Sequence, residues 1–364
     1  MHVLVVNAGS SSLKVRLLDA ADVVVAKLNL DEWDGEHTDE LKEFVTGLDR
    51  VDAVGHRIVH GGAEFTGPTV LNHDVRDRIA ALTEMAPLHQ PRGVAGIDAI
   101  AEVLPDMPAV ACFDTAFHHD LPAAAATYAL PHDWNRRWGL RRYGFHGLSH
   151  AYAARRTATL AGRDDLRIVS CHLGSGASLA AVSGGRSVDT TMGFTPLAGL
   201  VMATRSGSLD PGLLLWLLRH GEPDVDRLSN ILEHESGLAG LTGGSGDMRE
   251  VARGVEADEA DAVRAFDVYI HRLRREIAGM VAAMDGLDVL VFTGGVGEHQ
   301  PLVRAAAAAG LGFLGVRLDE HANRAAREDA DITATTATVR TFVITAREDS
   351  EIAQQTRAGL RDQT

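Results

Sequence analysis

The chain has 364 residues, a length typical of about two domains, and 45% of them are apolar, enough to build hydrophobic cores. Its 35 Lys and Arg residues against 50 Asp and Glu residues give a net charge of −15. This charge argues against nucleic acid as the main partner, because binding a phosphate backbone needs a basic face. A small anion held by a few Arg or Lys residues stays compatible with it.

The sequence also bears on where the protein works. No stretch reaches about 18 uninterrupted apolar residues, and the first residues have neither a basic n-region nor a cleavage signature. We therefore expect no membrane span and no signal peptide. The two cysteines, Cys112 and Cys171, lie in apolar strand-like runs. Buried free thiols are favoured over a disulfide, which fits a reducing cytoplasm.

Short β-branched runs alternate with long stretches rich in alanine and leucine, a pattern typical of the α/β class. Strands are predicted at residues 3–6, 15–18, 53–58, 109–113, 168–173, 179–182, 289–293 and 341–344. Helices are predicted at residues 149–160, 212–219, 258–284 and 301–309. The longest of them has apolar positions at helical spacing with charges opposite, which predicts a surface helix packed on a sheet.

Two segments of the chain repeat one pattern. Residues 3–17 consist of an apolar strand, the turn NAGSSS and a second apolar strand, and residues 168–182 repeat this pattern around HLGSGAS. Each segment predicts a β-hairpin, and the pair indicates a duplicated domain whose two turns face one cleft. Glycine- and serine-rich turns between strands are common, so two unrelated hairpins are the alternative.

The two predicted turns are candidate phosphate-binding loops, because consecutive backbone N–H groups and small hydroxyls can surround phosphate oxygens. Lys14 follows the first turn and could add a positive charge. A third candidate loop, GGVGEH at residues 294–299, lies between a strand and a helix, an arrangement that suits a nucleotide phosphate. No GxxxxGK(S/T) motif occurs, and GGVGEH is not a GxGxxG motif. The nucleotide prediction therefore depends on the three loops together.

Four charged residues lie in apolar or glycine-rich surroundings rather than on solvated helix faces. Arg57 and Asp114 each lie at the end of a predicted strand, His146 lies between glycines, and Arg205 lies in MATRSG. A structural salt bridge or a hydrogen-bonded core histidine is the alternative for each of them. Ligand sites of α/β sheets lie beyond the carboxyl ends of strands, where Arg57 and Asp114 fall. The four residues together suit phosphoryl transfer, which spreads negative charge over several oxygens.

Eight motifs, in the same order, resemble the acetate kinase family: NAGSSSLK, HRIVHGG, APLHQP, FDTAFH, YGFHGLSH, HLGSGAS, SVDTTMGFTPLAGLVMATRSGSLDP and FTGGVGEH. The resemblance runs from Asn7 to about Thr356, and the block at 187–211 is very specific. It implies reversible phosphorylation of acetate to acetyl phosphate by direct in-line transfer from ATP, which leaves ADP. It also implies Mg²⁺, or Mn²⁺ in its place, and a homodimer.

The resemblance further implies the actin-like, ribonuclease H-like fold, in which two duplicated α/β domains surround a central nucleotide cleft. We expect the first domain at residues 1–117, completed by a C-terminal helix at about 350–364, and the second at 118–349. This expectation agrees with the repeated hairpins. Because the motifs come from both domains, we expect the domains to close on the nucleotide.

The resemblance assigns roles where the motifs match. Asp114, His146, Arg205 and Arg57 correspond to the catalytic residues, and Arg57 also to the residue that binds the acetate carboxylate or the transferred phosphoryl group. Asp114 corresponds to a residue often assigned as proton donor or acceptor. Acetate is already ionised near neutral pH, so an electrostatic or metal-orienting role is more natural for Asp114. The residues implied around the acetate methyl group are Val59, Leu88, Phe145 and Pro196.

The nucleotide and metal sites are implied in the same way. Asn7 and Glu348 correspond to the metal-binding residues, with Asp349 as the neighbouring alternative to Glu348. The residues implied in binding nucleotide or phosphate are Ser10, Ser12, Lys14, His172, Leu173, Gly174, Ser175, Gly176, Asp247, Met248, Arg249, Gly295, Val296, Gly297, Glu298 and His299.

This sequence departs from the family pattern at three places. Ser175 stands where asparagine is usual in HLGNGAS, so one hydrogen bond on the phosphate side is expected to be weaker. His299 replaces the asparagine of a GGIGEN-like loop, which puts the adenine-side contact in question. The segment after Asp19 is compressed, and we expect trimmed loops with an unchanged mechanism.

Two other functions remain as alternatives to acetate kinase activity. The enzymatic alternative is a homologue that prefers propionate or uses a different phosphoryl donor. The non-enzymatic alternative is an actin-like scaffold, such as a filament or a regulatory ATPase. A scaffold would have no reason to keep Arg57, Asp114, His146 and Arg205 together in these motifs.

Overall fold

The computed structural model describes residues 1–9, 12–31, 33, 38–87, 89–221 and 223–361. The chain divides into two compact units, each made of segments that are separate in the sequence. The segments of the first unit are Met1–His119, Phe145–Tyr152 and Arg347–Thr364, and those of the second are Asp120–Gly144 and Ala153–Ala346. The first unit is therefore completed only by the C-terminal segment of the chain.

The strands are β1 (Val3–Ala8), β2 (Ser12–Leu18), β3 (Val24–Asp31), β4 (Ala53–Ile58), β5 (Thr69–Val70), β6 (Ala109–Phe113), β7 (Arg167–Leu173), β8 (Ala177–Ser183), β9 (Arg186–Thr190), β10 (Val289–Thr293), β11 (Ala330–Asp331) and β12 (Arg340–Val343). The helices are α1 (Asp39–Thr46), α2 (His73–Ala80), α3 (Gln90–Val103), α4 (Ala123–Ala126), α5 (His132–Trp138), α6 (Gly147–Ala161), α7 (Pro211–Arg219), α8 (Val225–His234), α9 (Gly237–Thr242), α10 (Met248–Glu256), α11 (Ala260–Ala283), α12 (Gly294–His299), α13 (Pro301–Ala309), α14 (Glu320–Ala325) and α15 (Glu348–Arg361). Short 3₁₀ helices cover Ala81–Met85, Ala116–His118 and Gly312–Leu314.

The predicted strands are all present, with ends that differ by a few residues. Within the described ranges, the strands that the sequence pattern did not predict are β3, β5, β9 and β11, and each lies at the edge of a sheet. Edge strands are short or solvated and lack a continuous apolar run. Strands β5 and β11 have two residues each, and the side chains of β3 are mostly exposed. Their sequences therefore carry little strand signal.

The sheet of the first unit has the order β3-β2-β1-β4-β6-β5 among the described residues. Strands β1, β4 and β6 run parallel, and the others pair antiparallel to their neighbours. Both faces of β1 are covered: Leu4 packs in a cluster with Ile100 of α3, and Val5 in a cluster with Ile352 of α15. Strands buried on both faces read as continuous apolar runs, which explains the VLVV sequence of β1.

The sheet of the second unit has the order β11-β12-β10-β7-β8-β9 in the described part of the chain. Each of its pairings repeats one of the first sheet in direction: β7 with β8 matches β1 with β2, and β7-β10-β12 matches the parallel set β1-β4-β6. The outer strands β9 and β11 pair antiparallel, as β3 and β5 do. The predicted duplication of one α/β fold is confirmed strand by strand.

Helix α11 is the predicted long helix. Its buried positions, among them Phe266, Ile270 and Leu273, recur at helical spacing and face β7, β8 and β9. It begins at Ala260 rather than at 258, because Asp258 has a positive φ of 56° that ends the preceding helix α10. The prediction of a helix packed on a sheet is confirmed.

The segment 294–299, predicted as a loop, is instead helix α12, which starts directly after β10. Gly294 makes this abrupt change possible. It has a φ of +77°, and a Cβ there would lie 2.8 Å from the carbonyl oxygen of Leu173. A glycine is required at this position. The glycine-rich sequence predicts a loop, but only its first glycine has a positive φ, and the residues after it are helical.

Cys112 and Cys171 are buried and free, as predicted. Burial raises the pKa of Cys112 to about 12 and raises that of Cys171 above its ordinary value. Both thiols are therefore uncharged and serve as small core side chains. In the described part of the chain, every helix is too short or too polar to span a bilayer.

Candidate active site

Arg57 and Asp114 form a buried ion pair at the carboxyl ends of two parallel strands in the first unit. Strand β4 ends at Ile58, and Asp114 follows β6 directly and donates its backbone N–H to the carbonyl oxygen of Ile58 at 3.0 Å. The Nη2 atom of Arg57 lies 2.6 Å from Oδ2 of Asp114, and Nε lies 3.2 Å from both carboxylate oxygens. Parallel pairing thus brings together two residues that are 57 positions apart.

Asn7 and Glu348 extend this pair into a chain of four side chains. Asn7 lies opposite Arg57 in the register of β1 and β4 and accepts a hydrogen bond from Nη1 of Arg57 at 3.0 Å. Its Nδ2 donates to Oε2 of Glu348 at 3.3 Å, where α15 begins. The neighbouring Asp349 instead accepts the backbone N–H of Ser350. We name Arg57, Asp114, Asn7 and Glu348 the Arg57 cluster.

Opposing forces act on the charges of the Arg57 cluster. Burial raises the pKa of Asp114, which is 1% exposed; the charge of Glu348 adds to this effect, and Arg57 opposes it. Burial also disfavours the charged guanidinium of Arg57. The negative charges of Asp114 and Glu348 and the hydrogen bond to Asp114 outweigh that burial and raise the pKa of Arg57 above its ordinary value. Arg57 is therefore a permanent positive charge.

The guanidinium of Arg57 keeps donor capacity for a further anion. It has five N–H donors, of which the contacts to Asp114 and Asn7 use three: one each on Nε, Nη1 and Nη2. Its side chain is 15% exposed, so the other two donors can be reached. A guanidinium held by one carboxylate can thus present a second edge to a carboxylate or phosphoryl group.

His146 lies in a strained turn that is tied to Asp114. It has a positive φ of 54°, which is uncommon for a residue with a side chain. The next residue, Gly147, donates its backbone N–H to the carbonyl oxygen of Asp114 at 2.9 Å, and a Cβ at Gly147 would collide with that oxygen. The turn therefore places His146 in the same unit as the Arg57 cluster.

The residues expected around the acetate methyl group fall in different parts of the chain. Val59 and Phe145 belong to the first unit and are buried, at 6% and 1% exposure. The Phe145 ring packs edge-on against His60 with the ring centres 5.5 Å apart, beside Val59. Pro196 belongs to the second unit, and Leu88 lies outside the described residues.

The second unit contains a cavity of about 510 Å³, within the usual range for small-molecule sites. Eight residues expected to bind nucleotide line it: Gly174, Ser175, Asp247, Met248, Arg249, Gly295, Val296 and His299. They come from the β7–β8 turn, from the start of α10 and from α12. Three separate motifs of the sequence therefore converge on one cavity.

The other residues expected to bind nucleotide do not line this cavity. Leu173 and Gly297 are buried, and Oε1 of Glu298 accepts the backbone N–H of Ala346 at 2.9 Å. His172 and Gly176 flank the turn that does line it. Ser12 and Lys14 belong to the β1–β2 hairpin of the first unit, and Ser10 lies outside the described residues.

The start of α10 is a well-formed cap. Asp247 is its N-cap residue and accepts the backbone N–H of Arg249 at 2.8 Å. The guanidinium of Arg249 also pairs with Asp247, at 2.5 Å between Nη2 and Oδ2. These hydrogen bonds hold the pKa of Asp247 below its ordinary value, so the carboxylate is ionised. Gly246, with a φ of +78°, approaches Ala203 so closely that a Cβ would collide with its carbonyl oxygen.

Sequence reasoning missed six residues that line the cavity: Ala203, Leu238, Ser245, Gly246, Tyr269 and Gln300. Ser245 and Gly246 belong to the glycine-rich run before Asp247, which could have indicated them. Tyr269 carried no such signal, because it reads as one more apolar position on the buried face of α11. It is 3% exposed, and its hydroxyl has no hydrogen-bond partner among the described residues.

Arg205 is a half-buried guanidinium of the second unit. Its Nη1 donates to the carbonyl oxygen of Pro196 at 3.3 Å, and no carboxylate among the described residues forms an ion pair with it. Burial lowers the pKa of Arg205, and the charge of Glu233 opposes this. Buried charges are normally paired, so an unpaired guanidinium indicates a site for an anionic ligand.

The described residues contain no group of three or more His, Cys, Asp or Glu side chains that could hold a metal ion. Mg²⁺ does not need such a group when it arrives with a nucleotide, because it is commonly held by one or two carboxylates, phosphate oxygens and waters. Asn7 and Glu348 offer an amide and a carboxylate. Their chemistry therefore fits a nucleotide-borne Mg²⁺.

Comparison with known proteins identifies the family to which the chain belongs. The model of the acetokinase family matches residues 36–354. Acetate kinase of Synechococcus sp. (strain JA-2-3B'a(2-13)) is 44% identical over 97% of this chain and 98% of its own. The crystal structure of Porphyromonas gingivalis acetate kinase superposes with a TM-score of 0.90 at 34% identity, covering 99% of both chains. That of a propionate kinase from Francisella tularensis gives 0.91 at 33% identity, covering 98% of this chain and 99% of its own.

The motifs, the two duplicated α/β units and these relatives agree on one class of enzyme, a kinase. The chain belongs to the acetokinase family.

Proposed function

We propose that this protein catalyses the reversible, ATP-dependent phosphorylation of acetate to acetyl phosphate. The observation that carries the proposal is the Arg57 cluster, a buried guanidinium with donors left for an anion beside oxygen ligands for Mg²⁺. Family membership supports the same reaction. The 510 Å³ cavity of the second unit is the proposed site for ATP or ADP.

Acetate binds through its carboxylate to the two remaining N–H donors of Arg57. Acetate is ionised near neutral pH, so no proton has to be removed before it attacks. Asp114 acts through Arg57, by fixing the orientation of the guanidinium, and no base catalysis is required. The carboxylate oxygen forms a bond to the γ-phosphorus, and the bond from that phosphorus to the β,γ-bridging oxygen breaks in line. The bonding electrons leave with ADP.

Arg205 and His146 are the proposed partners of the transferred phosphoryl group. The transition state of phosphoryl transfer carries its charge on three equatorial oxygens, and preorganised donors at those oxygens lower the barrier. Arg205 suits this role because, in the described part of the chain, its guanidinium bonds to the carbonyl oxygen of Pro196 and forms no ion pair with a carboxylate. The strained backbone of His146 suits it as well, because strain concentrates at functional sites.

The nucleotide is proposed to use backbone groups of the second unit more than its side chains. Gly174 and Ser175 of the β7–β8 turn and Gly295 and Val296 at the start of α12 line the 510 Å³ cavity, and N–H groups of such turns and helix starts are the proposed phosphate donors. The N–H of Gly174 is not among them, because it is bonded to the carbonyl oxygen of Gly176 at 3.0 Å. Five further residues of these elements do not line the cavity and are proposed to support the backbone that does: His172, Leu173, Gly176, Gly297 and Glu298.

In the first unit, Ser12 and Lys14 of β2 are proposed to contact the terminal phosphates, and so is Ser10, which lies outside the described residues. Asn7 and Glu348 would hold Mg²⁺, with Mn²⁺ as a substitute. The metal supplies charge neutralisation of the phosphate oxygens. Glu348 is preferred to Asp349 because it reaches Asn7, whereas Asp349 accepts a backbone N–H in its own helix.

Propionate phosphorylation is the second candidate function. It is favoured by the similarity to the propionate kinase structure, which has a TM-score of 0.91 against 0.90 for the acetate kinase structure. The fold therefore does not separate the two acids, and the apolar residues near the acceptor must do so. Val59 and Phe145 are large enough to favour a methyl group over an ethyl group, so acetate is proposed as the preferred acid.

A cytoplasmic homodimer is proposed as the working form. Helix α7 exposes large apolar side chains, with Leu213 at 44%, Leu215 at 52% and Trp216 at 53% exposure. Such a surface is unfavourable in water and is typical of a subunit interface. Light scattering on the purified protein should therefore give twice the mass of one chain.

The test of the proposed reaction is a hydroxylamine trap for acetyl phosphate. The purified protein is incubated with ATP, Mg²⁺ and acetate, and acetyl hydroxamate is measured, with parallel reactions on propionate and with pyrophosphate as donor. We expect hydroxamate only with ATP, most with acetate and less with propionate. A higher rate with propionate would establish the second candidate, and no product from either acid would refute carboxylate kinase activity.

A further inference from the structure

Arg205 lies in a tight turn that contacts two helix ends of the second unit. The backbone N–H of Met202 donates to the carbonyl oxygen of Arg205 at 3.1 Å and closes the turn. We name residues 202–206 the Arg205 turn. Helix α8 ends at His234 and α9 begins at Gly237, so the end of one and the start of the other are close together in the chain. Carbonyl groups at the end of a helix and N–H groups at its start lack partners within the helix.

The residues on either side of Arg205 donate to the last carbonyl groups of α8. The hydroxyl of Thr204 donates to the carbonyl oxygen of Glu233 at 2.7 Å. The backbone N–H of Ser206 donates to the carbonyl oxygen of Leu232 at 3.0 Å. Arg205 is therefore held between two hydrogen bonds to the same helix end, one from a side chain and one from the backbone.

The start of α9 donates to the same turn from the other side. Three backbone N–H groups at or next to this helix start each donate at 2.9 Å to a carbonyl oxygen of the turn: Ser236 to Thr204, Leu238 to Met202 and Ala239 to Ala203. Gly237 has a φ of +61°, and a Cβ there would collide with the carbonyl oxygen of Met202. This close approach requires a glycine. The Arg205 turn thus satisfies carbonyl groups of α8 and N–H groups of α9 together.

Arg205 is held differently from Arg57. The guanidinium of Arg57 is oriented by the carboxylate of Asp114, at 2.6 Å. Among the described residues Arg205 forms no ion pair with a carboxylate, and its Nη1 donates to the carbonyl oxygen of Pro196 at 3.3 Å. A carboxylate partner would offset the positive charge that an anionic transition state attracts. Neutral backbone groups of α8 and α9 fix the Arg205 turn and leave that charge intact.

We propose that Thr204 is a positioning residue for Arg205: its hydrogen bond to the carbonyl oxygen of Glu233 fixes the turn from which the guanidinium reaches the transferred phosphoryl group. Thr204 itself touches no reacting atom. This inference rests on the proposed function, in which Arg205 stabilises the transition state. An interaction that acts only on the transition state changes kcat more than KM.

Three variants test the hydroxyl of Thr204 in the hydroxamate assay. Thr204→Val keeps the shape of the side chain and removes the donor, so it should lower kcat by roughly three- to tenfold, as expected for one neutral hydrogen bond, and leave KM for ATP and acetate within about twofold. Thr204→Ser keeps the hydroxyl and should restore most of kcat. Thr157→Val is the matched control, because the Thr157 hydroxyl also donates at 2.7 Å to a carbonyl oxygen, that of Ala153 within α6. It should keep kcat.

A double-mutant cycle separates positioning from a general structural role. If Thr204 acts through Arg205, Thr204→Val should cause no further loss of kcat in an Arg205→Ala protein. The same factor of loss in both backgrounds would show that Thr204 acts independently of Arg205 and would overturn the proposal. A larger change in KM than in kcat would also overturn it, because the hydroxyl would then contact a ligand directly.

Hydrogen exchange of the intact protein tests the anchoring of the turn without relying on activity. Peptides that contain residues 202–206 should exchange faster in Thr204→Val than in the natural protein and at the natural rate in Thr157→Val, because losing an anchor lowers the free energy of local opening. Unchanged exchange in Thr204→Val would refute the anchoring role. Faster exchange in a protein that forms no acetyl phosphate would refute the proposed reaction and still support the anchoring of the turn.

Discussion

In the first unit, Asp114 follows β6 and donates its backbone N–H to Ile58 at 3.0 Å; in the second, Ile344 follows β12 and donates to Phe292 at 2.9 Å. These two corners belong to corresponding strands of the duplicated sheets. Asp114 forms an ion pair with Arg57, whereas Ile344 is an apolar core residue at 0% exposure. One backbone geometry therefore supports a charged site in one unit and a hydrophobic core in the other.

The difference indicates that the two duplicated units have different proposed roles. In the first unit, charged side chains at the strand ends carry the proposed acceptor chemistry. In the second, the corresponding edge is filled, and the cavity that suits a nucleotide is lined by glycine-rich backbone and the cap of α10. We therefore expect deletion of Arg57 in the first unit to affect turnover, and substitutions around the cavity of the second unit to affect mainly nucleotide affinity. Arg205 is the expected exception, because it is a residue of the second unit with a proposed catalytic role.

The largest effect is expected for Arg57→Ala. Loss of a preorganised donor to the transition state costs about 2.7–4 kcal/mol, so kcat should fall roughly 100- to 1,000-fold in the hydroxamate assay. The matched control is Arg156→Ala, which removes the guanidinium from a half-buried ion pair with Asp329 in the second unit. This control should lower the melting temperature and keep kcat near that of the natural protein. Equal losses of kcat in both variants would end the distinction between a functional and a structural pair.

Arg205→Ala should lower kcat by a similar or slightly smaller factor. Arg205→Lys should recover only part of it, because an ammonium is a point charge and cannot replace a planar guanidinium with two parallel donors. Steady-state rates at saturating acetate and ATP provide the measurement, and Arg272→Ala, which removes a guanidinium bonded to the carbonyl oxygen of Ser208, is the control. Full activity in Arg205→Lys would mean that charge alone matters here.

A smaller effect is expected on the metal requirement. Glu348→Gln removes a charge from the proposed ligand pair and should raise the Mg²⁺ concentration for half-maximal rate several-fold, since Mg²⁺ prefers hard, charged oxygen ligands. Asn7→Ala should raise it less. Asp349→Asn is the matched control and should leave the Mg²⁺ titration unchanged. If Asp349→Asn shifts the titration and Glu348→Gln does not, the metal ligand is Asp349.

The smallest effect concerns the choice of acid. Val59→Ala should enlarge the proposed pocket for the acetate methyl group and narrow the gap in kcat/KM between acetate and propionate. One methylene in an apolar pocket is worth about 1–3 kcal/mol, which bounds the change, and most of it should appear in KM. Val75→Ala, a buried valine in a core cluster of the same unit, should lower stability and keep the ratio. An unchanged ratio in Val59→Ala would make Val59 a core residue only.

Much of this fold can be predicted from local sequence patterns. Buried parallel strands such as β1 and β10 contain continuous apolar runs, VLVV and VLVF, and the repeated hairpins predict the duplication. Edge strands such as β3 are not predicted from the sequence, because strands with solvated side chains lack a regular apolar pattern. The GGVGEH sequence predicts a loop although the segment forms α12, because a glycine at one positive-φ position looks the same in sequence as glycines in a flexible loop.

The candidate site was predictable where chemistry and strand ends coincide. Arg57 and Asp114 were identified as charges at the ends of buried runs, and the parallel register of β4 and β6 then brings them into contact. Tyr269 could not be found in this way, because an aromatic residue on the buried face of a helix reads as core. The role proposed for Thr204 was equally hidden, since the sequence does not show which carbonyl oxygen accepts its hydroxyl.

We propose above all that acceptor chemistry belongs to the first unit and that most of the nucleotide binding belongs to the second. This proposal is tested most directly by the affinity of Arg57→Ala for ATP, measured by titration calorimetry without acetate, together with its rate of hydroxamate formation. We expect Arg57→Ala to bind ATP with an affinity within about twofold of the natural protein, because Arg57 is proposed to contact the acceptor acid and the transition state rather than bound ATP. We expect its rate of hydroxamate formation to be at least about 100-fold lower. Loss of ATP binding in a folded Arg57→Ala protein would contradict this division of function.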